Sequence, residues 1–263
     1  MASETTSSLP LHPTRVLGAF CEALAAGKRV AVVGDSSTGL AASLAPSAGR
    51  RLYAFDPDPR RTAENVARSP QRGASRVSYV VLDDDLDAHA GAFDLVVIPD
   101  LAEHGEPETI LRQACGLLCR RGVVVVASPN PRAVGVSGGL GYYELYDALA
   151  GEMETVQTLG QAAFVGFTIA DFAAEGDPAV TIDSSLCEAS EEPHWFVLVG
   201  SQGPVEVDPY TLIQVPTAAG LGWLTTSAPV ADEPADEVEL VQARQQLADM
   251  TAEIDELREQ RRR

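Results

Sequence analysis

The sequence predicts an α/β fold in which helices cover both faces of a doubly wound, mostly parallel sheet. Short apolar runs recur between residues 29 and 127, and such runs are typical of strands buried on both faces. Segments with helical periodicity or helix-start signals separate these runs. Regular alternation of strand and helix indicates parallel strands joined by right-handed crossovers.

Five of the apolar runs are predicted to be the parallel strands, at residues 29–34, 51–56, 77–82, 93–98 and 122–127. A first helix is predicted over residues 14–26, with Thr14 as its N-cap and Gly27 as its stop. Asp58 and Pro59 follow the second strand and favour a helix start, since aspartate caps and proline suits the first helical position. Further helices are predicted at about 38–46 and at 107–118.

The region after residue 140 changes character, because short apolar runs there are separated by acidic or Gly/Pro turns. It predicts one helix over residues 143–149 and an antiparallel extension of the sheet. The strands of this extension are predicted at 156–159, 164–169, 180–182 and 195–199.

The last segment repeats apolar residues with heptad spacing, which favours a coiled coil over an amphipathic helix docked on its own domain. The a and d positions are Leu240, Ala243, Leu247, Met250, Ile254 and Leu257. The pattern still runs where the sequence ends, so a longer coiled coil is one interpretation. The predicted organisation is an N-terminal segment and helix (1–27), an α/β domain (28–202), an irregular segment with an acidic, Pro-containing linker (203–238) and the coiled coil (239–263).

Composition restricts the partners and the setting. The net charge of −19 disfavours nucleic acid, which is bound through clustered positive charge. No apolar run is long enough for a membrane span, and the N-terminus does not resemble a secretory signal. The four cysteines are too few for a disulfide framework, and Cys115 and Cys119 lack a second pair that would complete a metal site. We therefore expect a cytoplasmic protein without a metal, whose partner is a protein or a second copy held by the coiled coil.

Sheets of this type bind ligands outside the carboxyl ends of their strands, where the strand order reverses. The candidate site is therefore expected from Gly34–Gly39, Asp56, Asp83–Asp85 and the loop Pro99–His104.

The run from the fourth strand onward carries a resemblance to a known family. It reads Phe-Asp-Leu-Val-Val-Ile-Pro-Asp-Leu-Ala-Glu-His, then a helix, then Arg-Arg-Gly-Val-Val-Val-Val-Ala-Ser-Pro-Asn-Pro. This resembles the second half of the Rossmann-like domain of class I S-adenosylmethionine (SAM)-dependent methyltransferases. The resemblance covers about residues 28–131, and residues 140–200 loosely, so residues 28–202 are expected to form a methyltransferase-like domain.

The resemblance implies SAM as the cofactor and assigns residues to it. Gly34, Asp35 and Gly39 correspond to the glycine-rich SAM loop, and Asp56 to the acid that holds the ribose hydroxyls. Asp83 matches the adenine-contacting acid, with Asp84 as the alternative by register. Pro99 and Asp100 occupy the loop that faces the methyl group, followed by Glu103 and His104.

Several of these residues have plainer interpretations. Asp56 would cap the turn that follows it in any case, and an acidic run such as Asp83–Asp85 is usually a solvated loop. His104 is open to a role as general base, although single histidines are mostly structural. Tyr142 and Tyr143 could cover a substrate or simply pack at a helix start, and Ser137–Gly141 could form a flexible loop over the site. No catalytic residue is assigned.

The first motif departs from the family pattern. The acidic position two residues before the first glycine is Val32, and Ser36 and Ser37 stand between the two remaining glycines. The departure favours a degenerate methyltransferase-fold module that binds SAM weakly or not at all and acts as an interaction or scaffolding domain. The alternatives are an active SAM-dependent methyltransferase on a small molecule or protein, and a Rossmann oxidoreductase using another nucleotide. The last lacks the Gly-x-Gly-x-x-Gly spacing expected for NAD.

Overall fold

A seven-stranded sheet forms the centre of the computed structural model, which describes residues 13–34, 39–68, 76–82, 88–134, 140–169, 180–186 and 192–215. The strands are β1 (Val30–Val33), β2 (Leu52–Asp56), β3 (Val77–Val81), β4 (Phe93–Ile98), β5 (Leu118–Pro129), β6 (Thr155–Gln161) and β7 (Trp195–Ser201). The helices are α1 (Pro13–Ala25), α2 (Leu40–Leu44), α3 (Pro59–Arg68), α4 (Pro107–Gly116), α5 (Pro131–Val134) and α6 (Tyr142–Ala150). A 3₁₀ turn, Leu101–Glu103, follows β4.

The strand order is β3-β2-β1-β4-β5-β7-β6. The first five strands are parallel to one another, and β7 is antiparallel to both β5 and β6. The chain moves outward from β1 to β3 and then returns to the other side of β1 with β4. The order therefore reverses beside β1, which is where such sheets bind ligands.

Two apolar cores cover the sheet, one on each face. Val30 and Val32 of β1 point to the core that contains α1 and α2, whereas Ala31 and Val33 point to the core that contains α4 and α6. Because β1, β4 and β5 are buried on both faces, their sequences are nearly continuous apolar runs.

The structure confirms the predicted α/β class, the five parallel strands and the antiparallel extension. Two predicted strands of that extension, 164–169 and 180–182, are wrong. Phe167 and Ile169 are fully exposed, because the chain at this point has passed Trp195, where the neighbouring strand β7 begins. A strand needs a neighbouring strand with which to form hydrogen bonds, and among the described residues none lies beside residues 164–169.

Two helix ends also differ in detail from the prediction. Helix α1 begins at Pro13, so Thr14 is buried in its first turn and is not its N-cap. Helix α4 ends at Gly116, and Leu118 opens β5. Asp58 does cap α3, since its Oδ1 accepts the backbone N–H of Arg60 at 2.8 Å. Gly27, predicted as the stop of α1, has a left-handed φ of 69°.

Among the described residues, Cys21, Cys115 and Cys119 are free thiols. Within the described ranges, no helix is both long and apolar enough to cross a membrane. The predicted coiled coil at 239–263 and most of the segment 203–238 lie outside the described residues.

Candidate functional site

Gly34 ends β1 at the point where the strand order reverses. Its backbone N–H donates to the carbonyl of Phe55 at 2.7 Å, which holds it beside the end of β2. Gly34 has φ 83° and Gly39, the residue before α2, has φ 67°. Both values lie in the left-handed region, where glycine avoids a steric cost that other residues pay. Asp35, between them, lies outside the described residues.

Asp56 ends β2 next to Gly34 and is nearly completely buried. Its Oδ1 accepts the backbone N–H of Asp58 at 2.8 Å and the Nε–H of Arg61 at 3.1 Å. The predicted turn cap therefore exists. Its Oδ2 is buried without a hydrogen-bond partner, and buried carboxylate oxygens are rarely left unpaired. One oxygen of Asp56 is thus committed to the fold, and the other has no partner among the described residues.

His104 lies directly against Gly34. The nearest atoms to the point where a Gly34 side chain would begin are Nε2 and Cε1 of the His104 ring. Both ring nitrogens are buried without a hydrogen-bond partner. Burial, with a smaller contribution from the nearby Arg61, lowers the pKa of His104, while Asp56 acts in the opposite direction. His104 is therefore held as a neutral imidazole over the first glycine.

Pro99 and Asp100 follow β4 and are both buried. Asp100 Oδ1 accepts the backbone N–H of Ala102 at 2.9 Å and so caps the 3₁₀ turn. Burial raises the pKa of the Asp100 carboxyl to about 6, although the hydrogen bond from Ala102 opposes this rise. A carboxyl with this pKa is mostly ionised at pH 7 and can still accept a proton readily.

Ser128 lies near the end of β5, at the same edge of the sheet. Its Oγ is fully buried and has no hydrogen-bond partner. Among the described residues, three of the four side chains with buried, unpaired polar atoms follow or end β2, β4 and β5 at this edge, and the fourth is Gln157 in the middle of β6. Buried polar atoms are usually paired, so this edge is the candidate site for a polar ligand.

The structure brings Gly34, Asp56, Pro99, Asp100 and His104 to one edge, as the sequence predicts. Asp83 and Asp84 lie outside the described residues, as do residues 137–139 of the loop 137–141. Tyr142 and Tyr143 begin α6, where the Tyr142 ring packs 5.7 Å from Phe196 and Tyr143 is exposed. Glu103 is exposed as well.

Sequence reasoning did not find two features of this edge. Arg61 pairs with Asp56, which depends on the rotation of α3 relative to β2 and has no signal in the sequence. Ser128 follows the fifth predicted strand and was not predicted as a site residue. Its position level with the ends of β2 and β4 was the signal that could have identified it.

Residues 33–126 match the model of a family described as a methyltransferase domain. No curated protein sequence is significantly similar to the chain. Among solved structures, a SAM-dependent methyltransferase from Aquifex aeolicus is similar at 13% identity and TM-score 0.49, covering 72% of this chain and 89% of that one. The [4+2]-cyclase SpnF is similar at 22% identity and TM-score 0.45. That similarity covers 56% of this chain and 58% of SpnF, less than two thirds of its length. Similarities this distant do not indicate an activity.

Proposed function

We propose that the chain is a methyltransferase-fold module that retains weak binding of an adenosyl ligand without efficient methyl transfer. The match of residues 33–126 to a methyltransferase domain supports this proposal. In this proposal the domain serves as an interaction or scaffolding module. The observation that carries the ligand site is the unpaired, buried Oδ2 of Asp56 beside Gly34.

The adenosine half of the site has the groups that it needs. A carboxylate at the end of β2 can accept a ribose hydroxyl, as in dinucleotide-binding folds. Gly34 and Gly39 have the left-handed backbone that lets a loop approach a ligand closely. The neutral His104 and the Ser128 hydroxyl add hydrogen-bonding groups at the same edge.

The methionine half lacks a group that the family resemblance implies. The acidic position is Val32, whose side chain is completely buried in the core beneath α1 and α2. A ligand ammonium therefore finds no carboxylate from this position. Loss of one charge-assisted hydrogen bond costs about 1.5–3 kcal/mol, or roughly a 10- to 150-fold loss of affinity.

Arg61 adds an opposing charge. Its Nε lies 3.1 Å from Asp56 Oδ1, so part of the negative charge at the end of β2 is already neutralised. SAM is a cation at sulfur, whereas its demethylated product is not. Reduced negative potential at this edge favours the product, and we expect S-adenosylhomocysteine to bind at least as tightly as SAM.

The test is isothermal titration of the chain with SAM, S-adenosylhomocysteine and adenosine. We expect weak binding of all three, and we expect Asp56→Asn to reduce it by about tenfold or more because Oδ2 becomes an amide donor. Asp208→Asn is the matched control, since Asp208 is an exposed carboxylate outside this edge. Unchanged affinity in Asp56→Asn would contradict the assigned site.

An active SAM-dependent methyltransferase is the second candidate, and Asp100 is the observation that favours it. Its pKa of about 6 suits a general base, and the family resemblance puts it in the loop that faces the methyl group. Methyl transfer from labelled SAM to components of a cell extract, lost in Asp100→Asn, would support this function over the scaffold.

A further inference from the structure

Seven cationic residues gather at the amino edge of the parallel sheet, opposite the candidate site. They lie just before β1, β2 and β3 and in the first residues of β5, and they are Lys28, Arg29, Arg50, Arg51, Arg76, Arg120 and Arg121. All except the half-buried Arg29 are exposed. This set, called the basic rim here, stands out in a chain whose net charge is −19.

Strand register places the rim residues side by side. Leu52 pairs with Val77, so the preceding residues Arg51 and Arg76 are neighbours, and Leu52 N–H donates to the carbonyl of Arg76 at 2.8 Å. Ala31 pairs with Tyr53, so Arg29 lies level with Arg51. Neighbouring strands are about 4.8 Å apart, which makes these three arginines a closely spaced row.

Arg120 and Arg121 extend this row to β5. Phe93 pairs with Leu118 and Leu95 pairs with Val123, so the residues between Leu118 and Val123 bulge out opposite Asp94. Asp94 is paired with Arg29 at 2.7 Å and also accepts the Cys119 thiol at 3.4 Å. The rim therefore extends from β3 to β5, and β4 between them contributes Asp94, which is paired with Arg29.

Negative charge within the rim is small. Among the described residues of the segments that enter β1–β5, the only carboxylate is Asp94, which is held by Arg29. Farther along the same edge the charge reverses, since Glu152 and Glu154 precede β6. The positive surface thus has a defined length, ending at β5.

From this arrangement we propose that the basic rim is a docking surface for an acidic polypeptide segment of a partner protein. Five of its six exposed cations are arginines, whose planar guanidinium groups match carboxylates with two parallel hydrogen bonds. One observation favours an acidic peptide over nucleic acid. The described rim segments carry no exposed aromatic side chain on which bases could stack.

The experiment measures fluorescence anisotropy of a labelled twelve-residue oligoglutamate peptide with the whole chain. An oligoglutamine peptide and a twelve-residue oligouridylate are the comparison probes. We expect the oligoglutamate to bind most tightly, with an affinity that falls as salt rises from 50 to 200 mM.

Charge reversal locates the surface. We expect R120E/R121E to weaken oligoglutamate binding by about tenfold. The matched control R15E/R132E makes the same change of net charge at the opposite edge, where α1 begins and β5 ends, and it should shift the affinity less than twofold. If R120E/R121E fails to fold, the milder K28Q/R50Q should still weaken binding in a chain of normal thermal stability. The proposal is overturned if the oligoglutamate does not bind, if the oligouridylate binds more tightly, or if both reversal variants weaken binding equally.

Discussion

Gly34 and His104 restrict each other at the end of β1. The imidazole fills the space that any side chain at Gly34 would need, and the backbone of Gly34 is left-handed. Gly39 has a similar φ, but nothing lies within 4 Å of the position its side chain would take. A side chain at Gly39 would therefore cause backbone strain alone, whereas a side chain at Gly34 would add steric overlap with His104.

We expect Gly39→Ala to lower the free energy of unfolding by about 1–2 kcal/mol through backbone strain alone. Gly34→Ala should lower it further, because the new methyl group displaces the His104 ring. Adding His104→Ala to Gly34→Ala should recover the difference between the two glycine variants. Urea denaturation gives all four values, and equal losses in the single glycine variants would show that the ring moves freely.

Asp100 gives the protein a pH-dependent stability. Its pKa is raised from 3.8 to about 6, so the folded state holds this proton more tightly than the unfolded chain. Ionising Asp100 therefore costs stability as pH rises from about 4 to 6, and the full cost remains above 6. Asp100→Asn keeps a capping side chain and should stabilise the protein at pH 7 by up to about 3 kcal/mol. At pH 3.5 the variant and the parent should unfold at nearly the same denaturant concentration, and a gain equal at both pH values would contradict the assignment.

The sequence predicts the candidate site only as well as it predicts where the strands end. Asp56 and Asp100 stand at or just after the ends of apolar runs. The runs alone therefore predict that both residues lie at the carboxyl edge of the sheet. The ion pair of Arg61 with Asp56 and the packing of His104 on Gly34 depend on how a helix and a loop settle in three dimensions. Neither contact has a fixed spacing in the sequence.

Strand β7 is the element that converts a parallel sheet into a mixed one. It lies between β5 and β6 and pairs with both along its whole length. Its buried residues alternate between the two cores, with Val197 and Val199 on the face of α1 and Leu198 on the face of α6. This strand therefore joins the antiparallel extension to both apolar layers.

We expect Leu198→Ala to lower the free energy of unfolding by about 2–5 kcal/mol, because it leaves a cavity in a fully buried strand. Leu186→Ala removes the same atoms from a side chain that is 97% exposed, and it should change stability by less than about 0.5 kcal/mol. Guanidinium denaturation monitored by circular dichroism compares them. A small loss in Leu198→Ala would mean that β7 adds little to the core.

Apolar runs predict strands well only where the sheet supplies neighbours. The five parallel strands are apolar because both of their faces are covered, so an apolar run in the sequence correctly indicates a strand at these positions. Residues 164–169 have a comparable apolar content, yet they follow β6 past the end of β7. Hydrophobicity in a sequence does not reveal where a partner strand stops.

At the scale of the whole molecule, residues 239–263 stay a prediction from heptad spacing. Burying their aliphatic a and d side chains against a second helix would supply about 1.5–3 kcal/mol for each. We expect the chain to form dimers or larger assemblies, and a chain ending at Val238 to be monomeric. Sedimentation equilibrium of the two forms tests this, and Leu247→Asp with Ile254→Asp is the full-length control. The same monomer mass with and without the segment would contradict the prediction.

The strand order also predicts the relative rates at which backbone amide protons exchange with solvent. Strands β1 and β4 are adjacent at the centre, are paired on both sides and have nearly all their residues buried. Their amides should exchange only when the whole domain opens, whereas those of β3 and β6, at the two ends of the strand order, should exchange through local fraying. Deuterium uptake should therefore spread from the ends of the strand order toward β1. The last protons to be lost would be those beneath Gly34, so the strand that supports the candidate site is expected to be the most persistent part of the fold.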